Sequence, residues 1–502
     1  MEDMENHCFI ELRDISKSFS NLKVLNNVSL TINRGEIHAL AGENGSGKST
    51  LIKILSGIYT CDSGRIIIDD VEYAKLQPIQ AINHGIQVIY QDFSIFPNLT
   101  VKENISMNSM VRSGKKWVSQ KQITEIARVA ADRIGFEVDL DERVERLSVA
   151  DKQLIAISRA MLQNARLIVM DEPTTALTKK EVDKLFHVVK KLQTQGVAIL
   201  FISHKIDEVF EISQRFTILR NGERVITDDV KVLDDEQFTF YMTGRKFHKR
   251  RNENRPQDDV VLECRNLTLK NSFYDVSFCL KRGEILCVTG LLGSGRTELA
   301  EALFGLRPAR QGEIYIEQER VKINSVQQAM KLGIGYVPQD RLTEGLFLNQ
   351  KIFWNQIVSN IGANISRFGL LQQARLREEA DKWISDLDIK SENSELPIST
   401  LSGGNQQKVI LGRWLAGSPK ILILNSPTVG VDIGAKFDII EILENLAKNG
   451  TSILIISDDF QEIVACSQRI LVMRVGRIVD SMVTADIDER IISKVVTLSE
   501  TP

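Results

Sequence analysis

The chain writes one unit twice, and this repeat limits its possible folds more than any other feature. The segment GEIHALAGENGSGKSTLIKILSGIYTCDSGRIIID begins at Gly35 and GEILCVTGLLGSGRTELAEALFGLRPARQGEIYIE at Gly283, an offset of 283 − 35 = 248. The same offset carries Gly64 to Gly312, and GIQVIYQD at 85 to GIGYVPQD at 333. Further on the offset is 254, pairing Leu147 with Leu401, Asp171 with Asn425 and His204 with Asp458, so the second copy holds six extra residues in its middle. Each copy alternates short β-rich apolar runs with helical patterns, which predicts an α/β fold with a largely parallel sheet. Between the copies, RKFHKRRNENRPQDD has no apolar periodicity and reads as a linker, its basic cluster Lys249 to Arg251 a solvated tether. The expected organisation is a first domain over 1–245, a linker over 246–259 and a second domain over 260–502. At roughly 100–250 residues per domain, the length allows two to four.

Composition narrows the partners. A net charge of −3 gives no reason to expect nucleic acid. Six cysteines at 8, 61, 264, 279, 287 and 466 have no C-x-x-C spacing, so a zinc site or disulfide framework is not expected. The opening MEDMENHC lacks the apolar core of a signal peptide. No apolar run approaches the ~18 residues needed to span a bilayer, so any membrane part is expected from other chains.

GENGSGKST supplies Gly42, Glu43, Asn44, Gly45, Ser46, Gly47, Lys48, Ser49 and Thr50 between an apolar strand and a helical pattern. This is G-x-x-x-x-G-K-[ST] in the context its chemistry requires. The glycines let successive N–H groups turn inward toward phosphate oxygens, and the helix N-terminus adds a favourable dipole. Lys48 offers a point charge to the β- and γ-phosphates, and Ser49 a hydroxyl to Mg2+. Downstream, LIVMDEPTTALT ends an apolar run in Asp171, placed to orient the metal, and Glu172, placed to polarise an attacking water. His204 ends the next run, VAILFISH, where a strand's carboxyl end faces the ligand crevice.

The second copy keeps the outline and changes the chemistry. GLLGSGRTE retains Gly290, Gly293, Gly295 and Thr297 but places Arg296 where Lys48 stands. Arginine keeps the charge on a larger, planar group, so binding without efficient catalysis is expected there. ILILNSPTVGVD has Asn425 and Ser426 in place of both carboxylates, and Asp458 replaces His204.

With LSGGNQQ at 401–407, these residues resemble the ABC-transporter ATPases over nearly the whole chain. The tandem layout, LSVAD at 147–151, Arg296 and GLLGSGRTEL resemble the ATP-binding subunits of bacterial importers of the ribose, galactoside, xylose and autoinducer-2 type. The resemblance implies two P-loop ATPase domains, each a largely parallel sheet core with a helical subdomain that carries the signature motif. It implies that the domains pair in cis, head to tail, with ATP between one cradle and the other domain's signature. Phe19 is then expected against adenine, and Gln91 at the γ-phosphate and, with Ser49 and Asp171, at Mg2+. Ser402, Gly403, Gly404 and Asp432 are expected to complete the site from the second domain.

Sorted this way, the first site has every part: Lys48, Ser49, Gln91, Asp171, Glu172 and His204, closed by LSGGN. The second gathers Gly290, Gly293, Gly295, Arg296, Thr297, Gln339, Asn425, Ser426 and Asp458 under LSVAD, nearly all altered. It also lacks a counterpart of Phe19, because four residues are missing between Asn266 and Val276 (the offset falls from 252 to 248). The family's second domain usually keeps an acidic pair at 425 and 426, an arginine at Val429 and often a glutamate at Gln339; this chain departs at each. The resemblance implies an ATP-hydrolysing, energy-coupling subunit of a sugar importer, peripheral on the cytoplasmic face of the membrane. Its implied partners are two copies of a transmembrane permease and, through them, an extracytoplasmic solute-binding protein. The rival class is a soluble tandem ATPase acting on ribosomes or DNA. Such proteins usually carry two intact sites and a long basic linker, which this sequence lacks.

Overall fold

The computed structural model describes residues 8–20, 22–90, 94–113, 119–174, 177–203, 205–245, 255–361, 371–391, 393–487 and 489–497. Two compact units divide between Phe247 and His248. Most of the expected linker, residues 246–254, lies outside the described residues.

The first unit has the strands β1 (Cys8–Phe19), β2 (Leu22–Asn33), β3 (Ile37–Ala41), β4 (Ser63–Ile68), β5 (Val71–Tyr73), β6 (Ile86–Ile89), β7 (Leu167–Asp171), β8 (Ala198–Ile202), β9 (Arg215–Arg220) and β10 (Glu223–Asp229). Its main sheet has the order β10-β9-β3-β8-β7-β6. All neighbours pair in parallel except the antiparallel edge strand β10. Both faces are covered, which is why β3 and β8 are buried at every position and β8 is a continuous apolar run. Along β8, Leu200 packs with Leu40, Leu51 and Val28 on one side, while Ile199 and Phe201 pack with Ile155 and Phe186 on the other.

A second, antiparallel sheet, β2-β1-β4-β5, covers the first of these faces. The sequence reading named only the largely parallel sheet. The long hairpin of β1 and β2 shows in sequence as alternation, but alternation alone does not say which sheet a strand joins. Between β6 and β7 the chain leaves the sheet through helices Val101–Ser113, Gln120–Ile134 and Val149–Leu162, which form the helical subdomain.

The second unit repeats this plan with β11 (Val260–Leu269), β12 (Phe273–Lys281), β13 (Ile285–Thr289), β14 (Gln311–Ile316), β15 (Glu319–Val321), β16 (Ile334–Val337), β17 (Ile421–Asn425), β18 (Ser452–Ile456), β19 (Arg469–Arg474) and β20 (Arg477–Val483). Its sheets run β12-β11-β14-β15 and β16-β17-β18-β13-β19-β20. The signature segment begins helix Gly403–Leu415.

The six extra residues enter in two places. Isolated bridges join Thr100 to Arg143 and Lys351 to Pro397, so the offset is 351 − 100 = 251 at one end and 397 − 143 = 254 at the other. Three residues therefore enter before Lys351, where Arg341–Gly345 forms a π-helical turn. Such a turn accommodates extra residues without breaking the adjoining elements.

Candidate functional site

In each unit the chemistry gathers where β3, β8 and β7, or β13, β18 and β17, end at their carboxyl edges, the crevice side of a parallel sheet. The first cradle curls through Gly42 (φ 152°), Gly45 (φ 81°) and Gly47 (φ 102°). At Gly42 a Cβ would lie 2.3 Å from the Leu219 carbonyl, so no other residue fits. Helix Lys48–Leu55 follows with no side-chain cap, and its first N–H groups are left for a ligand. Among the described residues the buried Ser46 hydroxyl has no partner. Buried polar atoms are nearly always paired, so an orphan inside a phosphate cradle fits an anion. Lys48 is buried, its Nζ 2.7 Å from Gly42 O and 2.8 Å from Glu43 O. Ser49, Asn44 and Gly45 face solvent, with Glu43 and Thr50 half-buried.

Asp171 is the last residue of β7, and its carboxyl is held above its usual range by burial and then by Glu172, with Lys48 and Lys53 opposing. Such a donor wants a cation. Glu172 has φ 47°, a left-handed conformation that β-branched or ordinary residues avoid, fixed by its N–H to Ile202 O at 3.0 Å. Gln91 and His204 lie outside the described residues. Phe19, at the end of β1, is 39% exposed, leans edge-on against Tyr59 and has Lys17 Nζ over its ring at 5.5 Å from the centroid.

Glu208 belongs to this site and escaped the sequence reading. Its buried carboxylate accepts from Thr174 Oγ1 at 2.6 Å and Ser203 Oγ at 2.9 Å, and pairs with Lys205 at 3.0 Å. It ties the loop after Glu172 to the residue before His204. The available signal was one acid of three on helix Ile206–Ile212, the one beside the apolar Val209.

The two signature segments differ in more than their glycines. Ser148 spends its hydroxyl locally, donating to Asp151 Oδ2 at 2.8 Å and accepting from Asp151 N at 3.1 Å. Ser402 caps no backbone amide and accepts from Asn405 at 3.0 Å. A Cβ at Gly404 would lie 2.2 Å from the Ala435 Cβ, and one at Gly403 would meet Arg341 Nη2 at 2.6 Å and Gly430 O at 2.8 Å. These glycines thus serve helix packing within their own unit, a reason additional to the close approach to phosphate that the sequence suggested. Arg341, in the inserted turn, donates to Val429 O and Gly430 O, each at 2.8 Å. Asp432 accepts from Ala435 N at 2.8 Å and caps helix Ile433–Lys448.

The second cradle keeps its shape, with Gly290 at φ 157°, Gly293 at 80° and Gly295 at 92°. Arg296 is buried and donates to Gly290 O at 2.6 Å, Ser457 O at 3.3 Å and Asp458 Oδ2 at 2.9 Å. The Arg296–Asp458 pair joins the two substituted positions, lysine to arginine and histidine to aspartate. Asn425 and Ser426 are buried, Ser426 repeating the conformation of Glu172 at φ 51°. The Asn425 amide oxygen has no partner among the described residues. Gln339 is exposed, and Thr297 is half-buried on the first turn of helix Arg296–Leu303. The shorter β11–β12 hairpin pairs Leu269 with Phe273, whereas the β1–β2 hairpin extends to Phe19 and Leu22.

A family model described as ABC transporter matches residues 25–175 and 273–429. A ribose import ATP-binding protein of Bacillus subtilis strain 168 is 40% identical over 93% of this chain and 95% of its own length. A putative ribose/galactose/methyl galactoside import ATP-binding protein of Agrobacterium fabrum is 39% identical over 97% of this chain and 96% of its own. Among solved structures, an ATP-binding cassette of an ABC transporter in its ADP conformation aligns with 48% of this chain and 100% of its own, at 25% identity and a TM-score of 0.43.

Proposed function

This chain belongs to the ABC transporter family and is an ATPase, and from that premise we propose that it powers the import of ribose or a related sugar through one working site. The observation that carries the reading is the asymmetry of the two cradles: Lys48, Asp171 and Glu172 in the first stand opposite Arg296, Asn425 and Ser426 in the second. At the first, the curled amides, the Ser46 hydroxyl and Lys48 bind and orient a triphosphate. Ser49 and Asp171 would hold Mg2+, which, once bound with the nucleotide, would neutralise charge on the phosphates. Glu172 takes a proton from the attacking water, with Gln91 and His204 in the roles the family resemblance implies. Phosphoryl transfer depends mostly on positioning and charge, so each such group carries a large share of the rate.

Ser402, Gly403, Gly404 and Asp432 complete this site from the second unit, the units pairing in cis. LSVAD closes the other site poorly, because Ser148 is spent on Asp151. Among the described residues no helix is long and apolar enough to cross a membrane. The subunit works peripherally at the cytoplasmic face, on two copies of a permease served by an extracytoplasmic solute-binding protein. Its relatives' printed names support sugar as the cargo.

The test is steady-state ATP turnover of Glu172→Gln with its permease. Turnover should fall about 10²-fold or more while ATP stays bound. Near-normal turnover would sink the assignment.

A further inference from the structure

The second cradle is built to bind and closed at one end. Its three glycines hold the same left-handed turns as the first, and helix Arg296–Leu303 likewise starts without a side-chain cap. The Ser294 hydroxyl, 5% exposed, points into the curl without a partner among the described residues, as does Ser46 in the first unit. The hydroxyl of Thr289, at the end of β13, is also buried and has no partner among the described residues. Had the loop become a mere structural turn, these groups should have found partners.

The far end differs. In a P-loop the side chain after the last glycine reaches toward the β- and γ-phosphates. Here that side chain is Arg296, and its outer nitrogen is taken by Asp458 at 2.9 Å. A carboxylate on this nitrogen already provides the anion that a terminal phosphate would provide. A triphosphate would have to displace Asp458 and then lie beside it, like charge against like. The strand end that would hold a cation to relieve this repulsion carries Asn425 and Ser426, both neutral. A diphosphate meets none of this, because the amides, Ser294 and the inner face of Arg296 suffice for it.

We infer that the second cradle is a nucleoside diphosphate site that needs no divalent cation, with Asp458 standing where the last phosphate of a triphosphate would bind. The inference rests on the reading that the first cradle alone hydrolyses ATP, and goes beyond it by giving the second a ligand. Its occupant is then neither fuel nor product of the second site, but diphosphate drawn from solution or from the first.

The experiment uses the full chain carrying Lys48→Ala and Phe19→Ala, which strips phosphate and base contacts from the first cradle. Equilibrium dialysis with labelled ADP and labelled ATP measures what remains, with EDTA and then with Mg2+. ADP should bind near one per chain and about tenfold or more tighter than ATP, which is ~1.4 kcal/mol, with Mg2+ changing its affinity by no more than about twofold. Asp458→Ser should tighten ATP until it is within about threefold of ADP, leaving ADP nearly unchanged. Three results would overturn the inference: ATP binding as tightly as ADP with Asp458 in place, a gap that persists in Asp458→Ser, or no ADP bound. Should Asp458→Ser fail to fold by near-UV circular dichroism, Asp458→Asn, of equal size, makes the same comparison. Turnover that survives Glu172→Gln would count against the first cradle's assignment, whereas the ADP–ATP gap reads the second cradle alone.

Discussion

Glu172 and Ser426 hold the same left-handed backbone, and only one of them carries a carboxylate. The geometry that presents a base has outlived the base, because the turn is set by hydrogen bonds to β8 and β18 and not by the side chain. Asp171 offers a pH test of the working copy. Its carboxyl titrates above the usual range, so protons compete with Mg2+ at a higher pH than for an ordinary aspartate. Mg2+ affinity at the first cradle should fall as pH drops into the range where this raised carboxyl takes up a proton, and Asp171→Asn should flatten that dependence; titration of Mg2+ into the ATP-bound protein at two pH values checks it. Glu462 makes the opposite point about stability. It corresponds to Glu208, but Asp459 stands where Lys205 pairs with that residue, and burial pushes Glu462 up to about 7. The folded state therefore binds the extra proton, and stability is lost as pH rises from about 4.5 to about 7. Glu462→Gln should remove this slope, on the order of 3 kcal/mol across the window, in urea unfolding at pH values on either side.

At the scale of elements, the signature helix Gly403–Leu415 packs against helix Ile433–Lys448 through Gly404 and Ala435. Gly404→Ala should overpack this contact and cost roughly 1–3 kcal/mol, and Ala435→Gly should recover most of it. Melting temperatures of the singles and the double decide whether the glycine is kept for packing. The cradles, the strand ends and the missing Phe19 counterpart were legible in sequence because each depends on local spacing. The antiparallel sheet, the split insertion and Glu208 were not. The first needs long-range pairing, the second needs two bridges to locate it, and Glu208 becomes meaningful only once Thr174 and Ser203 are seen to converge on it. The Arg296–Asp458 contact lay in the sequence as two separate oddities, and only the fold brings residues 162 positions apart together.

Across the whole molecule, each copy has its own cores and its own pair of sheets, so one could lose its chemistry without losing its fold. Returning the lost carboxylates should not return a second engine. With Asn425→Asp and Ser426→Glu, Arg296 would still hold Asp458, and Ser148 would still be bound to Asp151. Groups that act as a unit are not additive, so turnover in a Glu172→Gln background should stay within about twofold of that background. Substantial hydrolysis there would mean that Asn425 and Ser426 alone silence the site. The pair at the end of the second cradle also bears on how such a copy can change over generations. Replacing Asp458 alone leaves the buried guanidinium only the Gly290 and Ser457 carbonyls, and replacing Arg296 alone leaves the Asp458 carboxylate beside the bare cradle. The two positions are therefore coupled, and a lineage that carries both residues is expected to change them together.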